Sequence, residues 1–429
     1  MKHVVQEVKL SNGAKGLLID VPGATVMNFQ FHFRAGNRYV RDKSIYETAH
    51  IMEHMAFGAN SRFKNEHAYE AEFTKNGAYH NAWTSDIGMC YVADCADFEW
   101  ERILELQGLA VCEARFNGSE LNAEKGNVKS ELTGYLNNHN RVLWAKAQQL
   151  IGEDVYSYWQ RLQTIPNVKL SDIKEHYERT HTSDNLRFVI AGKLDGRKTR
   201  IKEMLESWSL PRCERFEVPR DELSSAGPAL IRRKDASNLT FGWSLSLPRR
   251  LSDEESDAMW VLNHLLTGTM HSRIYGAARK RGLAYGVFSD VGVNTHDSSW
   301  DFGGEVDLDK AKKLFDIIVK QMKNVQNGDI TESELESAKS YALGRYQMGA
   351  QTAAQISNYY YVRYFQDGVV RDYDASPDEI KSITLERMIA TAREFIAHNA
   401  WVLVGVSSGE KSDIEDLNSR LATLFELKR

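Results

Sequence analysis

Residues 50–54 read His50-Ile51-Met52-Glu53-His54, two histidines four positions apart with a glutamate between them. In an α-helix, residues four apart project from one face, so both imidazoles can reach a single metal ion. Neutral imidazole nitrogens suit Zn²⁺, and Glu53 lies near the same face, where it can take a proton from a metal-activated water. The stretch therefore predicts a helix with two zinc ligands and the general base of a hydrolase. The alternative is a solvated helix that bears two surface histidines.

The residues around this motif predict a strand followed by a helix. Residues 27–34 alternate apolar and polar side chains, which is the pattern of a strand with one buried face and one wet face. From residue 44 to residue 57 the apolar spacing is helical, and Ser44 and Glu47 form a candidate capping box at the start. We therefore expect the motif on a helix that directly follows a sheet strand.

A catalytic zinc site needs three protein ligands and one open position, so a third donor must come from elsewhere in the chain. The helical pattern over residues 119–138 offers Glu120, Glu124 and Glu131. Glu124 and Glu131 are seven apart, two turns along one stripe of the helix. One of them could bind the metal while the other accepts a hydrogen bond from a ligand histidine. On spacing alone, an exposed acidic stripe is the alternative.

The order of predicted elements begins again in the second half of the chain, after a change in composition. Residues 210–228 mix proline, serine, glycine and charged residues, which is typical of an exposed linker. We therefore predict a first domain over residues 1–209, a linker over 210–228 and a second domain over 229–429. The repeated order of strands and helices indicates two duplicated domains, of which only the first carries the metal motif.

Composition excludes several classes of function. The 429 residues include 54 Lys+Arg and 59 Asp+Glu, a formal net charge of −5, so no broad basic surface is expected for nucleic acid. No apolar stretch approaches about 18 residues, so no membrane span is expected. Residues 1–12 show no secretory signal, and the four cysteines form no CxxC pair. We expect a cytoplasmic protein that binds neither nucleic acid nor membrane.

The motif and its downstream glutamates resemble the pitrilysin and insulinase family of zinc peptidases, the inverzincins. The resemblance rests on residues 50–58, His-Ile-Met-Glu-His-Met-Ala-Phe-Gly, and on residues 124–131, Glu-Lys-Gly-Asn-Val-Lys-Ser-Glu. It implies His50, His54 and Glu131 as Zn²⁺ ligands. It further implies Glu53 as the base and Glu124 as a carboxylate that supports the site.

The same resemblance implies a fold and a mode of substrate binding. The family fold has two related α+β domains, each a mostly antiparallel sheet covered by helices, which enclose a chamber. Substrate is held there as an added strand at a sheet edge. The run Asn81-Ala82-Trp83-Thr84 is implied as that edge in this chain. For Trp83, ordinary packing of an aromatic side chain is an equal alternative.

One departure from the family pattern suggests a partner. Family members place an arginine seven residues before a tyrosine in the second half, and this pair binds substrate and supports the transition state. Tyr285 is present, and the resemblance implies a catalytic role for it, but the position seven residues earlier is Ala278. The adjacent Arg279 would point about 100° away around a helix. In two-chain relatives similar to mitochondrial processing peptidase, a second homologous subunit supplies the arginine, so we expect a heterodimer; a homodimer is also possible.

The sequence therefore predicts a zinc endopeptidase that cleaves peptides or unfolded segments by attack of a metal-activated water. A non-catalytic scaffold or peptide-binding subunit is the alternative, which the missing arginine favours. A third class, a hydrolase of non-peptide amides or esters, would turn over small acyl substrates and leave extended peptides intact.

Overall fold

The computed structural model describes residues 1–397 and 399–425, which form two β-sheets and the helices that pack on them. The described strands are β1 (Val4–Lys9), β2 (Lys15–Asp20), β3 (Val26–Phe33), β4 (Tyr79–Thr84), β5 (Met89–Ala96), β6 (Arg187–Gly192), β7 (Ala229–Arg232), β8 (Asn238–Leu247), β9 (Ala284–Val293), β10 (Ser298–Asp307) and β11 (Ala400–Ser407).

The described α-helices are α1 (Thr48–Ala56), α2 (Glu66–Thr74), α3 (Trp100–Cys112), α4 (Gly118–Leu136), α5 (His139–Ile151), α6 (Tyr158–Thr164), α7 (Leu170–Thr180), α8 (Lys198–Glu206), α9 (Asp253–Asn263), α10 (Tyr275–Lys280), α11 (Leu308–Asn327), α12 (Glu332–Met348), α13 (Ala353–Asp367), α14 (Ser376–Ser382), α15 (Leu385–Ala397) and α16 (Lys411–Ala422). A π-helical turn over His264–Gly268 continues α9. None of the described helices combines the length and apolar character that crossing a membrane requires.

The two sheets repeat one topology. The first has the order β1-β2-β6-β3-β5-β4 and the second the order β7-β11-β8-β10-β9. In each, one parallel pair, β2 with β6 or β7 with β11, is followed by antiparallel pairs across the rest of the sheet. The first sheet has one more described strand than the second, β1, which lies at its edge beside β2. The shared order confirms the predicted fold class of mixed helices and two mostly antiparallel sheets.

The described chain forms two compact units that are not continuous in sequence. The first contains residues 1–134, 158–219 and 349–373, and the second contains residues 135–157, 220–348 and 374–429. The predicted division placed a single boundary at residues 210–228. In the structure, the segment that contains α13 belongs to the first unit, and the segment that contains α5 belongs to the second. Residues 209–228 form neither helix nor strand.

The exchanged helix α13 covers a sheet face that the sequence pattern assigned to water. It packs against β3 and β6 of the first sheet, and the polar residues of β3 are buried beneath it. Nε2 of Gln30 donates to Oδ1 of Asn358 at 2.8 Å, and the His32 ring stacks on Tyr361 with centroids 4.2 Å apart. The prediction that one face of β3 is exposed to solvent is therefore wrong. The second unit has the corresponding arrangement, with α5 packed on β8 and β11.

Candidate metal centre

α1 carries both histidines of the motif, and its other residues hold it in the core. Ala49, Ile51, Met52 and Met55 are buried, so the helix is fixed against its neighbours along most of its length. α4 carries Glu124 and Glu131, seven residues apart. The two histidines and the two glutamates are therefore all carried by helices. Helices hold side chains in place more precisely than loops do.

The structure brings His50, His54 and Glu131 together. One ligand atom from each lies within 4.8 Å of the other two. Nε2 of His50 is 3.5 Å from Oε2 of Glu131, and Nε2 of His54 is 3.4 Å from the same oxygen. Both imidazoles thus direct the same ring nitrogen at one carboxylate oxygen.

The other ring nitrogen of each histidine faces a second carboxylate. Nδ1 of His54 lies 3.1 Å from Oε2 of Glu124, which is the residue that the sequence assigned to support the site. Nδ1 of His50 lies 3.0 Å from Oε2 of Glu47, a contact that sequence analysis missed. Glu47 had been assigned to a capping box, but its side chain makes no capping hydrogen bond to α1. The predicted capping box is wrong, because the backbone N–H of Ser44 donates to Asp42 and that of Glu47 donates to Thr164. The Glu47 carboxylate turns instead to His50, three residues along the chain.

The neighbouring carboxylates raise the pKa of both histidines. Burial lowers the pKa of His54, but hydrogen bonds with Glu124 and Glu131 outweigh it and raise the pKa to about 10. Burial opposes protonation of His50 too, and its contacts with Glu131 and Glu47 raise the net pKa. A metal ion therefore competes with protons for these imidazole nitrogens.

Glu53, the predicted general base, is buried beside the two histidines. Burial raises the pKa of its carboxyl above the usual range, although the charges of His50 and His54 act in the opposite direction. Oγ1 of Thr84 donates a hydrogen bond to its Oε2 at 3.0 Å. A carboxyl whose pKa is raised toward neutrality is suited to both accepting and returning a proton.

Thr84 ends strand β4, which the sequence assigned as the substrate-binding edge. β4 is the terminal strand of the first sheet, with β5 as its hydrogen-bonded neighbour among the described strands. Trp83 is 37% exposed, and its ring lies 6.0 Å from the His32 ring, whereas Ala82 is buried. The amide oxygen of Asn81 accepts from the backbone N–H of Ala82 at 2.9 Å. The strand thus presents one open edge, and its last side chain reaches Glu53.

In the second unit, Arg279 and Tyr285 are in contact. The guanidinium carbon of Arg279 lies 4.2 Å from the centroid of the Tyr285 ring, which is a cation–π geometry. The expectation that no arginine of this chain meets Tyr285 is therefore wrong, because Arg279 reaches the ring across the turn between α10 and β9. Ala278, seven residues before Tyr285, is fully buried, whereas Tyr285 is 81% exposed.

The donor set on α1 and α4 fits a zinc ion. Ligand atoms about 2.1 Å from a tetrahedral zinc are separated by roughly 3.4 Å. The two distances from Glu131 to the imidazoles, 3.5 and 3.4 Å, match that separation. Two imidazole nitrogens and one carboxylate oxygen are also the donor types of catalytic zinc sites, which keep a fourth position open. Further carboxylates on both Nδ1 atoms are the usual support for such ligands.

Comparison with known proteins identifies related domains in both halves of the chain. Residues 18–152 match the family described as insulinase (peptidase family M16), and residues 167–341 match the peptidase M16 inactive domain. His50, His54, Glu53, Glu124 and Glu131 all lie within the first match. The second match includes Arg279 and Tyr285.

Individual relatives differ in how they are described. The chain is 22% identical over 412 residues to an uncharacterized zinc protease YmxG of Bacillus subtilis, covering 92% of this chain and 97% of that protein. It is 25% identical over 236 residues to a non-peptidase homolog YmxG of Helicobacter pylori, covering 53% and 52%. The crystal structure of a protease from Helicobacter pylori has the same fold, with a TM-score of 0.81 and 16% identity over 95% of this chain and 100% of that one. The chain therefore contains M16-family domains, one of the insulinase type over residues 18–152 and one of the inactive type over residues 167–341.

Proposed function

We propose that this chain is a zinc-dependent endopeptidase that cleaves peptides or unfolded segments. The observation that carries the proposal is the convergence of two imidazole Nε2 atoms on one oxygen of Glu131, at 3.5 and 3.4 Å. A solvated helix with two surface histidines would not bury His50 or bring a carboxylate from another helix to both rings. In this proposal His50, His54 and Glu131 are the zinc ligands, and Glu124 supports His54.

The chain's own residues then account for the proton transfers of hydrolysis. When bound, zinc supplies Lewis acidity toward a carbonyl oxygen and a water molecule. Thr84 donates a hydrogen bond to Oε2 of Glu53 and so helps to hold the carboxylate that takes a proton from the attacking water. Glu53 returns that proton to the nitrogen of the leaving amine. Water is the nucleophile, so no acyl-enzyme forms.

The open edge of β4 supports an extended peptide as the substrate. A peptide strand added at this edge would form main-chain hydrogen bonds with alternate residues of the run Asn81-Ala82-Trp83-Thr84, those whose backbone groups point away from β5, which explains a preference for unfolded segments. Thr84 connects this edge to the proposed base through its contact with Glu53. In the second unit, the exposed ring of Tyr285 would contact substrate and support the transition state.

A non-catalytic scaffold or peptide-binding subunit is the second candidate function. It is favoured by the description of one relative as a non-peptidase homolog and by the match of residues 167–341 to an inactive domain. The histidines and glutamates of the proposed centre lie outside that inactive-domain match, however. A scaffold would have no need for a buried carboxylate beside three metal-ligand side chains, so we favour the peptidase.

We further propose a second homologous subunit, so that the chain works as the metal-bearing member of a heterodimer. The expected result is that the protein isolated from its native host with its partner degrades an unstructured peptide faster than the chain alone at equal zinc content. The measurement is peptide turnover at low protein concentration, where weak assemblies dissociate. Equal rates would reject the partner and leave Arg279, which already contacts Tyr285, as the chain's own substrate-binding arginine.

A further inference from the structure

Two side chains that the proposed reaction does not use lie behind His50. Glu47 directly precedes α1 and is fully buried, at 0% exposure. Arg161, on α6, donates from Nε to Oε1 of Glu47 at 2.5 Å and from Nη2 to Oε2 of Glu47 at 3.1 Å. A planar guanidinium that donates to both oxygens fixes the orientation of the carboxylate as well as its charge.

The backbone of Glu47 is anchored by the same segment of chain that supplies Arg161. Oγ1 of Thr164, the last residue of α6, accepts a hydrogen bond from the backbone N–H of Glu47 at 3.3 Å. A few residues on, Nδ2 of Asn167 donates to the carbonyl oxygen of Ser44 at 2.9 Å. Both the side chain and the main chain of Glu47 are therefore held from the segment over residues 161–167.

Two groups lie within reach of Nδ1 of His50, and they demand opposite protonation states. Oε2 of Glu47 is 3.0 Å away, and Nη2 of Arg161 is 3.4 Å away. A guanidinium can only donate a hydrogen bond, and an ionised carboxylate can only accept one. The shorter contact is with the acceptor, so Nδ1 carries a proton. In a neutral imidazole that proton leaves the lone pair on Nε2, the nitrogen that faces Glu131.

We propose that Glu47 is a positioning residue for the metal centre and that Arg161 acts through it. Glu47 holds the His50 ring in the orientation and tautomer that a metal ligand requires, and Arg161 holds Glu47. His54 has the comparable contact with Glu124, but that carboxylate is 13% exposed at the side chain, whereas Glu47 is sealed from solvent. His50 is therefore the more rigidly fixed of the two histidines. The inference rests on the proposed metal centre.

The test compares two double variants in which the buried ion pair is removed in the same way. Arg161→Met with Glu47→Gln leaves an amide oxygen that can still accept from Nδ1 of His50, and Arg161→Met with Glu47→Ala leaves no acceptor. Each double variant lacks both charges of the ion pair, so neither leaves an unpaired ion buried. An unpaired buried ion is the reason that a single change in such a pair is strongly destabilising. We expect the alanine variant to bind zinc about 10- to 100-fold more weakly than the glutamine variant, the usual effect of losing such a partner.

Zinc affinity is measured by competition with a chelating dye, without reference to peptide cleavage. Equal zinc affinity of the two double variants would overturn the positioning role and reduce Glu47 and Arg161 to a structural ion pair. Arg161 acting through Glu47 further requires that Arg161→Met cause no further loss of zinc affinity once Glu47 is alanine, although it can relieve the unpaired charge there; a further loss would contradict it. Asp97→Asn is the control, since Asp97 pairs with Arg197 and contacts neither histidine. If wild-type protein binds zinc but cleaves no peptide, the proposed function fails while this inference stands.

Discussion

Replacing Glu53 with glutamine is expected to lower kcat/KM for peptide hydrolysis by about 10²- to 10⁴-fold, the usual contribution of a general acid–base group. Glutamine has nearly the same shape and can still accept the hydrogen bond from Thr84, but it cannot take a proton from water. Because Glu53 lies outside the three residues whose ligand atoms converge, zinc affinity is expected to remain near that of the wild type.

Measuring peptide turnover and zinc content together distinguishes a catalytic role of Glu53 from a structural one. Peptide turnover is followed with an unstructured fluorogenic peptide, and zinc content is measured on the same preparation. Glu70→Gln is the matched control, because Glu70 is also a carboxylate near β4 but pairs with His80. Full turnover in Glu53→Gln would remove Glu53 from the mechanism, and loss of zinc from this variant would make it a structural part of the metal site.

Replacing Glu131 with glutamine is expected to weaken zinc binding by more than about 100-fold, beyond the effect of losing a supporting partner. Glu131 presents one oxygen to both imidazoles, and an amide is a much poorer ligand for zinc than a carboxylate. Glu124→Gln should weaken zinc binding less, by about 10- to 100-fold, because Glu124 faces Nδ1 of His54 and not the nitrogen that faces Glu131. Glu124 also accepts a hydrogen bond from Asn127.

A third glutamate on α4 provides the control for these two variants. Glu120 accepts a hydrogen bond from the backbone N–H of Ala59 and contacts neither histidine, so Glu120→Gln is expected to bind zinc as the wild type does. The measurement is a competitive zinc titration of all three variants. The order Glu131, Glu124, Glu120 in decreasing effect is the expected result. A larger loss from Glu124→Gln than from Glu131→Gln would exchange their assigned roles.

The part of the site that the sequence could predict is the part that depends on helical periodicity. His50 and His54 share a face because they are four residues apart, and Glu124 and Glu131 share a stripe because they are seven apart. The pairing of α4 with α1 is a long-range contact that spacing alone leaves open, and the family resemblance implied it. Glu47 carried a usable signal as well, since a carboxylate three residues before His50 can reach its ring, but the helix-start pattern at Ser44 was given precedence.

The features that sequence analysis missed depend on contacts between distant segments. Polar residues at alternate positions of β3 predict a wet face, and only the packing of α13, more than 300 residues later, buries them. The contact between Arg279 and Tyr285 depends on the path of the turn between α10 and β9, which spacing along a helix does not describe. The repeated strand order, in contrast, was visible as a repeat of element types along the chain.

The most direct test of the proposed centre is X-ray absorption spectroscopy at the zinc edge on the purified, zinc-loaded chain. We predict one zinc per chain with two imidazole nitrogens and carboxylate oxygen at about 2.0–2.2 Å, and no sulfur ligand. The imidazole signature should be lost from the His50→Ala, His54→Ala double variant. A coordination shell that contains cysteine sulfur, or a wild-type chain that takes up no stoichiometric zinc, would contradict the account.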